Sequence, residues 1–328
     1  MTDNIKKLYS ARTVCGSEHD LAEFIKERLA DRCDEISCDD MGNVYALKKG
    51  TGKSCRKIAV VCAADEPGFV VTHVAENGRI SLHAVGTKDC GKYLGMKAES
   101  ADGTQGILLS DISLRENIGA SDMYFETGAE SAGDVTLKEG DFISVLQPPV
   151  ALGKNKISLG VMGEKIFAEC LAIIAECGGN YCFDTYFVFV SQHTFASRGE
   201  KCAAYILGAD TVIALCTAES GRLSCGNGAV ILTADSGGRC SRTLTKELCD
   251  AAEGIGVKLN KCADITKGKP SFISPFIAEG ARTALVGACC EKTAEGANIC
   301  DLRDIRSAAA TVCAYLIFED EKENNTEA

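Results

Sequence analysis

Apolar residues follow two different spacings along this chain. In residues 17–31 they recur at helical spacing, with Leu21, Ile25 and Leu29 on one face, which predicts an amphipathic helix. Residues 58–62 are an uninterrupted apolar run, which is typical of a strand buried on both faces. The same two patterns return in the second half, predicting helices at 164–176 and 302–318 and strands at 185–190, 211–215, 229–233 and 283–286. This alternation favours an α/β fold.

The middle of the chain has a different pattern. Between residues 69 and 149, short alternating segments are separated by Asn77-Gly78 and Asp102-Gly103, both strong hairpin signals. We therefore expect a β-rich module inserted into an α/β domain. The predicted organisation is an α/β domain in two parts (1–69 and 150–318), an inserted β-rich domain (70–149) and an acidic disordered tail (319–328).

Composition narrows the class of protein. The chain has 328 residues, of which 46% are hydrophobic and 25% charged, as expected of a globular protein. Its formal net charge of −11 disfavours binding to nucleic acid. No apolar run approaches the ~20 residues that span a bilayer, and the first residues lack the apolar core of a signal peptide. We expect a cytoplasmic protein that does not bind membranes.

Cysteine is unusually frequent, with 19 residues, but no Cys-x-x-Cys spacing occurs. That absence disfavours zinc ribbons and thioredoxin-like sites. We expect most of these thiols to be small buried hydrophobic residues, in a reducing compartment.

Two groups of residues are candidates for chemistry. Asp65 and Glu66 follow the buried strand at 58–62, either as an acid/base pair or as a structural remnant. His193 follows the strand at 185–190, and Cys216 follows the strand at 211–215. A Cys–His pair can be nucleophilic, or with Cys62 could hold a soft metal, although strand alternation directs Cys62 to the opposite face from Ala63.

Short motifs spaced along nearly the whole chain point to one family. They are Ser17-Glu18-His19, Asp40-Met41-Gly42-Asn43, Asp65-Glu66-Pro67-Gly68, Phe125-Glu126-Thr127-Gly128-Ala129, Gly140-Asp141, Arg198-Gly199 and Asp301-Leu302-Arg303-Asp304-Ile305. In order and spacing they resemble the M42 metallo-aminopeptidases of the glutamyl- or deblocking-aminopeptidase type.

The resemblance implies an M42/M20-like zinc-peptidase fold with an inserted PDZ-like β-barrel. It also implies homo-oligomers, from dimers up to dodecamers, and hydrolysis of N-terminal residues from peptides by two zinc or cobalt ions. Such a site needs two cations ~3.5–4 Å apart, which share a carboxylate and a water, and a separate carboxylate as general base.

At the positions that match the family's site, this chain has other residues. Only Asp65, which matches the carboxylate that orients a histidine ligand, is retained. The general-base position holds His193. The remaining positions hold none of the family's own carboxylate or histidine ligands: they are Ala63, Met162 or Gly163, Thr194, Cys216 and Ala294. An alignment shift of one would put Thr293 or Glu295 at the last position, but no histidine lies in that region. Alanine offers no donor atom, and a thioether cannot bridge two such cations.

Three hypotheses follow. The first is a catalytically degenerate M42 homologue without a dinuclear metal site or cofactor, retained for assembly, for binding peptides, or for co-assembly with an M42 paralogue. The second is an active metallo-aminopeptidase with a zinc or cobalt site rearranged among other side chains, namely Asp65, His193, Cys216, Glu219 and Glu295. The third is a thiol-dependent hydrolase that uses Cys216 with His193.

Overall fold

The computed structural model describes residues 2–52, 54–112, 118–161, 163–219, 223–263, 270–293 and 297–327. Within these ranges the chain forms an eleven-stranded sheet and a closed six-stranded barrel. None of the helices in them is long and apolar enough to cross a lipid bilayer. The α/β class predicted from the apolar pattern is confirmed.

The large sheet is mixed. Its strands are β1 (Glu35–Cys38), β2 (Val44–Lys48), β3 (Lys57–Ala63), β10 (Val150–Leu152), β11 (Lys156–Ser158), β12 (Asp184–Val190), β13 (Thr211–Glu219), β14 (Ala229–Leu232), β17 (Leu259–Cys262), β18 (Arg282–Lys292) and β19 (Asn298–Asp301). They lie in the order β1-β2-β12-β3-β13-β18-β19-β11-β10, with β14 beside β18 and β17 beside β14.

Four neighbouring parallel strands, β12, β3, β13 and β18, form the centre of the sheet. Their registers pair Val190 with Ala63 and Leu215 with Cys62, so the strands end at one edge. They are apolar throughout because separate hydrophobic clusters cover both faces of the sheet. The same edge therefore receives the segments that follow β3, β12 and β13.

Helices supply those two layers. They are α1 (Thr2–Ser10), α2 (His19–Leu29), α3 (Ile166–Cys177), α4 (Arg198–Leu207), α5 (Arg242–Gly254), α6 (Ser274–Ala278) and α7 (Leu302–Glu327). On one face, α3 packs against α1, α2 and α7, while α4 and α6 pack together on the other. Helix α3 is apolar nearly all round, as expected for a helix buried between a sheet and other helices.

The barrel is formed by the middle of the chain. Its strands are β4 (Gly68–Val74), β5 (Ile80–Val85), β6 (Lys97–Ser100), β7 (Gln105–Ser110), β8 (Met123–Glu126) and β9 (Phe142–Val145), closed in the order β4-β5-β8-β7-β6-β9. The Asn77-Gly78 and Asp102-Gly103 turns join β4 to β5 and β6 to β7, as their sequences indicate. Phe69, Tyr93 and Phe125 fill the interior. Likeness to a PDZ domain stays a prediction. Two short strands, β15 (Ala234–Asp235) and β16 (Gly238–Arg239), pair in a separate antiparallel sheet.

The acidic C-terminal segment differs from the expectation of a disordered tail. Helix α7 continues without a break through Glu327. Arg56 donates to Glu319 over 2.9 Å and to Glu323 over 2.8 Å, and the Glu319 side chain is only 1% exposed. The prediction of disorder was wrong because an arginine distant in sequence neutralises these acids.

Cysteines are less uniform than expected. Among the free thiols, seven are buried, including Cys62, Cys170 and Cys216, and three are exposed. Cys290 and Cys300 face each other on β18 and β19 and form a disulfide. The disulfide is a departure from the expectation that these residues are free thiols.

Replacing Arg56 with Met should lower the free energy of unfolding by about 1–3 kcal/mol, since the buried Glu319 carboxylate loses its charged hydrogen-bond donor. Lys322→Gln is the matched control, because Lys322 contacts the same carboxylate from a side chain that is 55% exposed, and it should cost under about 1 kcal/mol. Urea unfolding at pH 7 measures both. Equal losses in the two variants would contradict the proposed anchoring of the tail.

Candidate functional site

A cavity of about 1150 Å³ lies where the central strands end, between the sheet and the barrel. Ala63, His193 and Cys216, from the ends of three neighbouring parallel strands, all line it. This is the edge at which open parallel sheets place ligands. The cavity is therefore the candidate functional site.

Asp65 organises the floor of the cavity. Its carboxylate, 3% exposed, accepts hydrogen bonds from the backbone N–H of His193 (2.9 Å) and of Thr194 (3.0 Å). The Thr194 hydroxyl donates a third hydrogen bond to it over 2.5 Å. Both oxygens of Asp65 are thus committed to the loop that follows β12.

That loop has an unusual backbone. Gln192, Ala196 and Ser197 all have positive φ, at 50°, 59° and 53°, a region that residues with a Cβ rarely adopt. Strain of this kind persists only where surrounding contacts impose it. The hydrogen bonds that Asp65 accepts from this loop, together with one that the Gln192 backbone N–H donates to Glu18 Oε1 (3.1 Å), supply those contacts.

Glu66 is neutralised by a lysine. The Lys165 ammonium, at the start of α3 and fully buried, lies 2.8 Å from Glu66 and donates to the Ala11 carbonyl over 2.8 Å. Burial raises the pKa of Glu66 and lowers the pKa of Lys165, while each partner opposes the shift of the other. The 2.8 Å contact identifies this pair as a buried ion pair next to Asp65.

His193 has a carboxylate partner that the sequence did not indicate. Its Nδ1 is hydrogen-bonded to Glu200 on α4, and its ring stacks on Phe272 with centroids 3.9 Å apart. Burial alone would lower the pKa of His193, but Glu200 raises it to about 9. At neutral pH His193 is thus an imidazolium paired with Glu200.

Glu164 is a further carboxylate in the cavity. It accepts hydrogen bonds from the backbone N–H of Thr217 over 2.9 Å and from the Thr217 hydroxyl. Among the described residues, no lysine or arginine forms an ion pair with it. The sequence did not single out Glu164, Lys165 or Glu200. Glu164 and Lys165 lie just before α3, and Glu200 lies in the first turn of α4 as a charged residue on a buried face.

Most of the residues proposed from sequence do meet here. The cavity is lined by Ala63, Asp65, Glu66, His193, Thr194 and Cys216. Met162, Ala294 and Glu295 lie outside the described residues, as does the side chain of Glu219.

Cys62 does not join the cavity group. It belongs to the hydrophobic cluster on the opposite face of the sheet from Ala63 and Cys216, as strand alternation predicted. A soft-metal site made from Cys62, Cys216 and His193 is therefore excluded. The pairing of Cys216 with His193 as a nucleophile stays a prediction, in which Glu200 would orient the imidazole.

One group of potential ligands lies beside Asp65. Within the described ranges, only Cys15, Glu18 and Asp65 bring three metal-binding atoms of this kind within 4.8 Å of one another. Burial raises the pKa of Cys15 to about 12 and that of Glu18 to about 7. The cysteine is therefore a thiol at neutral pH, and metal binding would have to displace its proton.

Comparison with known proteins identifies the family. A family model described as M42 glutamyl aminopeptidase matches residues 42–310. The chain belongs to the M42 peptidase family. A protein of Acetivibrio thermocellus named "Putative aminopeptidase" is 29% identical over 265 residues, 77% of this chain and 79% of that protein. The lysyl aminopeptidase of Pyrococcus furiosus is 22% identical over 64% of each chain.

Solved structures share the fold of this M42 chain. An aminopeptidase from Desulfurococcus kamchatkensis superposes with a TM-score of 0.87 at 20% identity, over 96% of this chain and 94% of that one. A dodecameric structure named PhTET1-12s superposes with a TM-score of 0.85 at 19% identity, over 96% and 98%. At these identities the likeness concerns the fold alone.

Among the described residues at the matched positions of this M42 chain, the donor atoms do not form the ligand set of a dication pair. Ala63 offers no ligand, both oxygens of Asp65 accept hydrogen bonds, and Glu66 is paired with Lys165. If Met162 or Gly163 takes the bridging position, neither a thioether nor a glycine would replace the carboxylate, and Ala294 would not replace a histidine if it takes the last position.

Glu200→Gln should destabilise the protein in a pH-dependent way. Because the pKa of His193 is raised from about 6.5 in the unfolded chain to about 9, the stability due to its ion pair is complete below pH 6.5 and is lost as the pH rises through 9. We expect a loss of about 3 kcal/mol at pH 6 that shrinks towards pH 9.5, measured by urea unfolding.

Glu253→Gln, an exposed carboxylate on α5, is the control and should show no such trend. A loss in Glu200→Gln that stays constant from pH 6 to pH 9.5 would contradict the charge assigned to His193.

Proposed function

We propose that this chain is an M42 homologue that does not hydrolyse peptides with two metal ions. Instead, it binds peptides in the cavity beside Asp65. The observation that carries the proposal is the buried Lys165–Glu66 ion pair. In a two-metal site, carboxylates at such an edge neutralise dications. In this chain the Lys165 ammonium neutralises the Glu66 carboxylate instead.

Electrostatic repulsion also disfavours metal ions in the part of the cavity beside Asp65. The His193 imidazolium and the Lys165 ammonium both stand near Asp65, so a dication entering there would meet two positive charges. With His193 protonated and held by Glu200 at neutral pH, the general-base position also lacks a group that can accept a proton from water.

Peptide binding is supported by what the cavity retains. Its volume of about 1150 Å³ is ample for a short peptide. Glu164, without a lysine or arginine partner among the described residues, is suited to an α-amino group. Peptides are accordingly the proposed ligands.

Assembly is the second part of the proposal. The PhTET1 relative is described as a dodecamer, and the TET1 peptidase of Pyrococcus horikoshii as assembling into a tetrahedron or an octahedral shell. In this chain Tyr205 and Ile206 are 80% and 52% exposed on α4, as apolar side chains at a contact between copies would be in a single chain. We propose a cytoplasmic homo-oligomer, with an M42 paralogue as a further partner.

A rearranged metal site is the second candidate function. It is favoured by the approach of Cys15, Glu18 and Asp65, which could hold one cation, zinc or cobalt, if Cys15 lost its proton. Of these three residues only Asp65 lines the cavity, so hydrolysis by a cation held there would also need access to the cavity.

Metal analysis and an activity assay test these candidates together. After dialysis against zinc or cobalt, we expect the purified protein to hold less than one equivalent of metal. It should not cleave a panel of aminoacyl p-nitroanilides, with the Pyrococcus furiosus lysyl aminopeptidase as the positive control. Calorimetric titration with short peptides should still detect binding.

Two bound equivalents with turnover would overturn the proposal. One equivalent that is lost in Cys15→Ser, but kept in the exposed-cysteine control Cys38→Ser, would establish the second candidate instead.

A further inference from the structure

Phe195 is an aromatic side chain that stays open on the wall of the cavity. It is 47% exposed, although it lines the cavity and lies in the loop that Asp65 holds. Its neighbour His193, by contrast, is buried and stacks on Phe272. A half-exposed phenylalanine on the wall of a cavity is a candidate contact for a ligand.

An arginine holds the Phe195 ring from one face. The Arg198 guanidinium lies 4.4 Å from the centre of that ring. A cation over one face is attracted to the ring and leaves the other face uncovered. The exposed part of Phe195 is therefore surface that a second flat group could cover.

The residue before Phe195 is fixed by both the sheet and the barrel. Thr194 donates two hydrogen bonds to Asp65, from its backbone N–H over 3.0 Å and from its hydroxyl over 2.5 Å. The barrel approaches Thr194 at Gly86, where a Cβ would come within 2.6 Å of the Thr194 hydroxyl oxygen. A glycine at that position permits this close approach.

The residues after Phe195 are strained and are also tied down. Ala196 and Ser197 have positive φ, at 59° and 53°. The Ser197 hydroxyl donates to the Ser271 carbonyl over 2.8 Å, next to Phe272 in the chain. Strain that is held in place beside a cavity points to a function for the side chain it presents. Because the loop is fixed on both sides of Phe195, the ring meets a ligand already in position, and little conformational entropy is lost on binding.

We propose that Phe195 is a stacking platform for an aromatic side chain of the bound peptide. The inference rests on the proposed peptide binding and adds the class of side chain that the cavity selects. The ligand's ring would lie on the face of Phe195 opposite Arg198. Stacking of two rings adds to the gain from burying apolar surface, which is all that an aliphatic side chain would obtain.

Calorimetric titration of the full chain with synthetic tripeptides tests the inference. The peptides are trialanine, the three peptides with one phenylalanine among alanines, and the three with one leucine. At least one phenylalanine peptide should bind roughly tenfold more tightly than trialanine, and its leucine counterpart should gain no more than about threefold. The phenylalanine peptide that binds most tightly gives the position of the stacked residue. Added salt should not change the preference, because all these peptides carry the same charges.

Variants assign the preference to Phe195. Phe195→Ala should bring the phenylalanine peptide within about twofold of trialanine, while Phe195→Tyr should keep the preference. Phe318→Ala is the matched control, because it removes the same ring from α7 at a similar exposure of 44% and outside the cavity. It should leave every affinity unchanged.

The outcomes separate this inference from the proposed function. If all the peptides bind like trialanine, or if Phe195→Ala keeps the preference for phenylalanine, the platform is wrong while peptide binding stands. If leucine peptides gain as much as phenylalanine peptides, stacking is wrong. If none of the peptides binds, both the platform and the proposed function fail.

An exposed phenylalanine could instead contact a second copy of the chain. Light scattering on the wild type, Phe195→Ala and Phe318→Ala tests this alternative through the mass of the particle in solution. We expect the same mass for all three. A smaller particle for Phe195→Ala alone, with unchanged peptide affinities, would make Phe195 an interface residue and would overturn the platform.

Discussion

Carboxylates at the end of a buried strand must be neutralised, and the groups that neutralise them in this chain determine the charge of its cavity. In the family's two-metal scheme the positive charge arrives from outside as dications. In this chain it is built in, as the Lys165 ammonium against Glu66 and the His193 imidazolium against Glu200. A site neutralised by its own side chains keeps its shape without a bound ion.

The fold explains why these groups meet at all. Parallel pairing of β12, β3 and β13 brings three strand ends to one edge, and the start of α3 delivers Lys165 and Glu164 to the same place. The segment of the barrel between β5 and β6 then lines the side of the cavity that the sheet leaves open. The chemistry of the cavity can therefore change by substitution at a few strand ends while the sheet and the barrel remain those of the family.

Sequence reasoning succeeded where the physical constraint is local. The apolar runs at 58–62 and 185–190 require burial on both faces. Whether Ala63, His193 and Cys216 converge was left open by the sequence, because that depends on which strands are neighbours in the sheet. Sequence reasoning failed where a charge is balanced by a distant residue. Glu200 is placed like any acid in the first turn of a helix, and only packing against His193 gives it a role.

Asp65 has a consequence for how relatives of this kind are interpreted. It holds a loop in which three residues with side chains adopt left-handed conformations. Replacing it would release that loop whether or not the protein hydrolyses anything. A carboxylate can thus be kept for its structural role alone, even where the residues around it are not metal ligands. Its presence in a chain is therefore a poor marker of surviving enzymatic turnover.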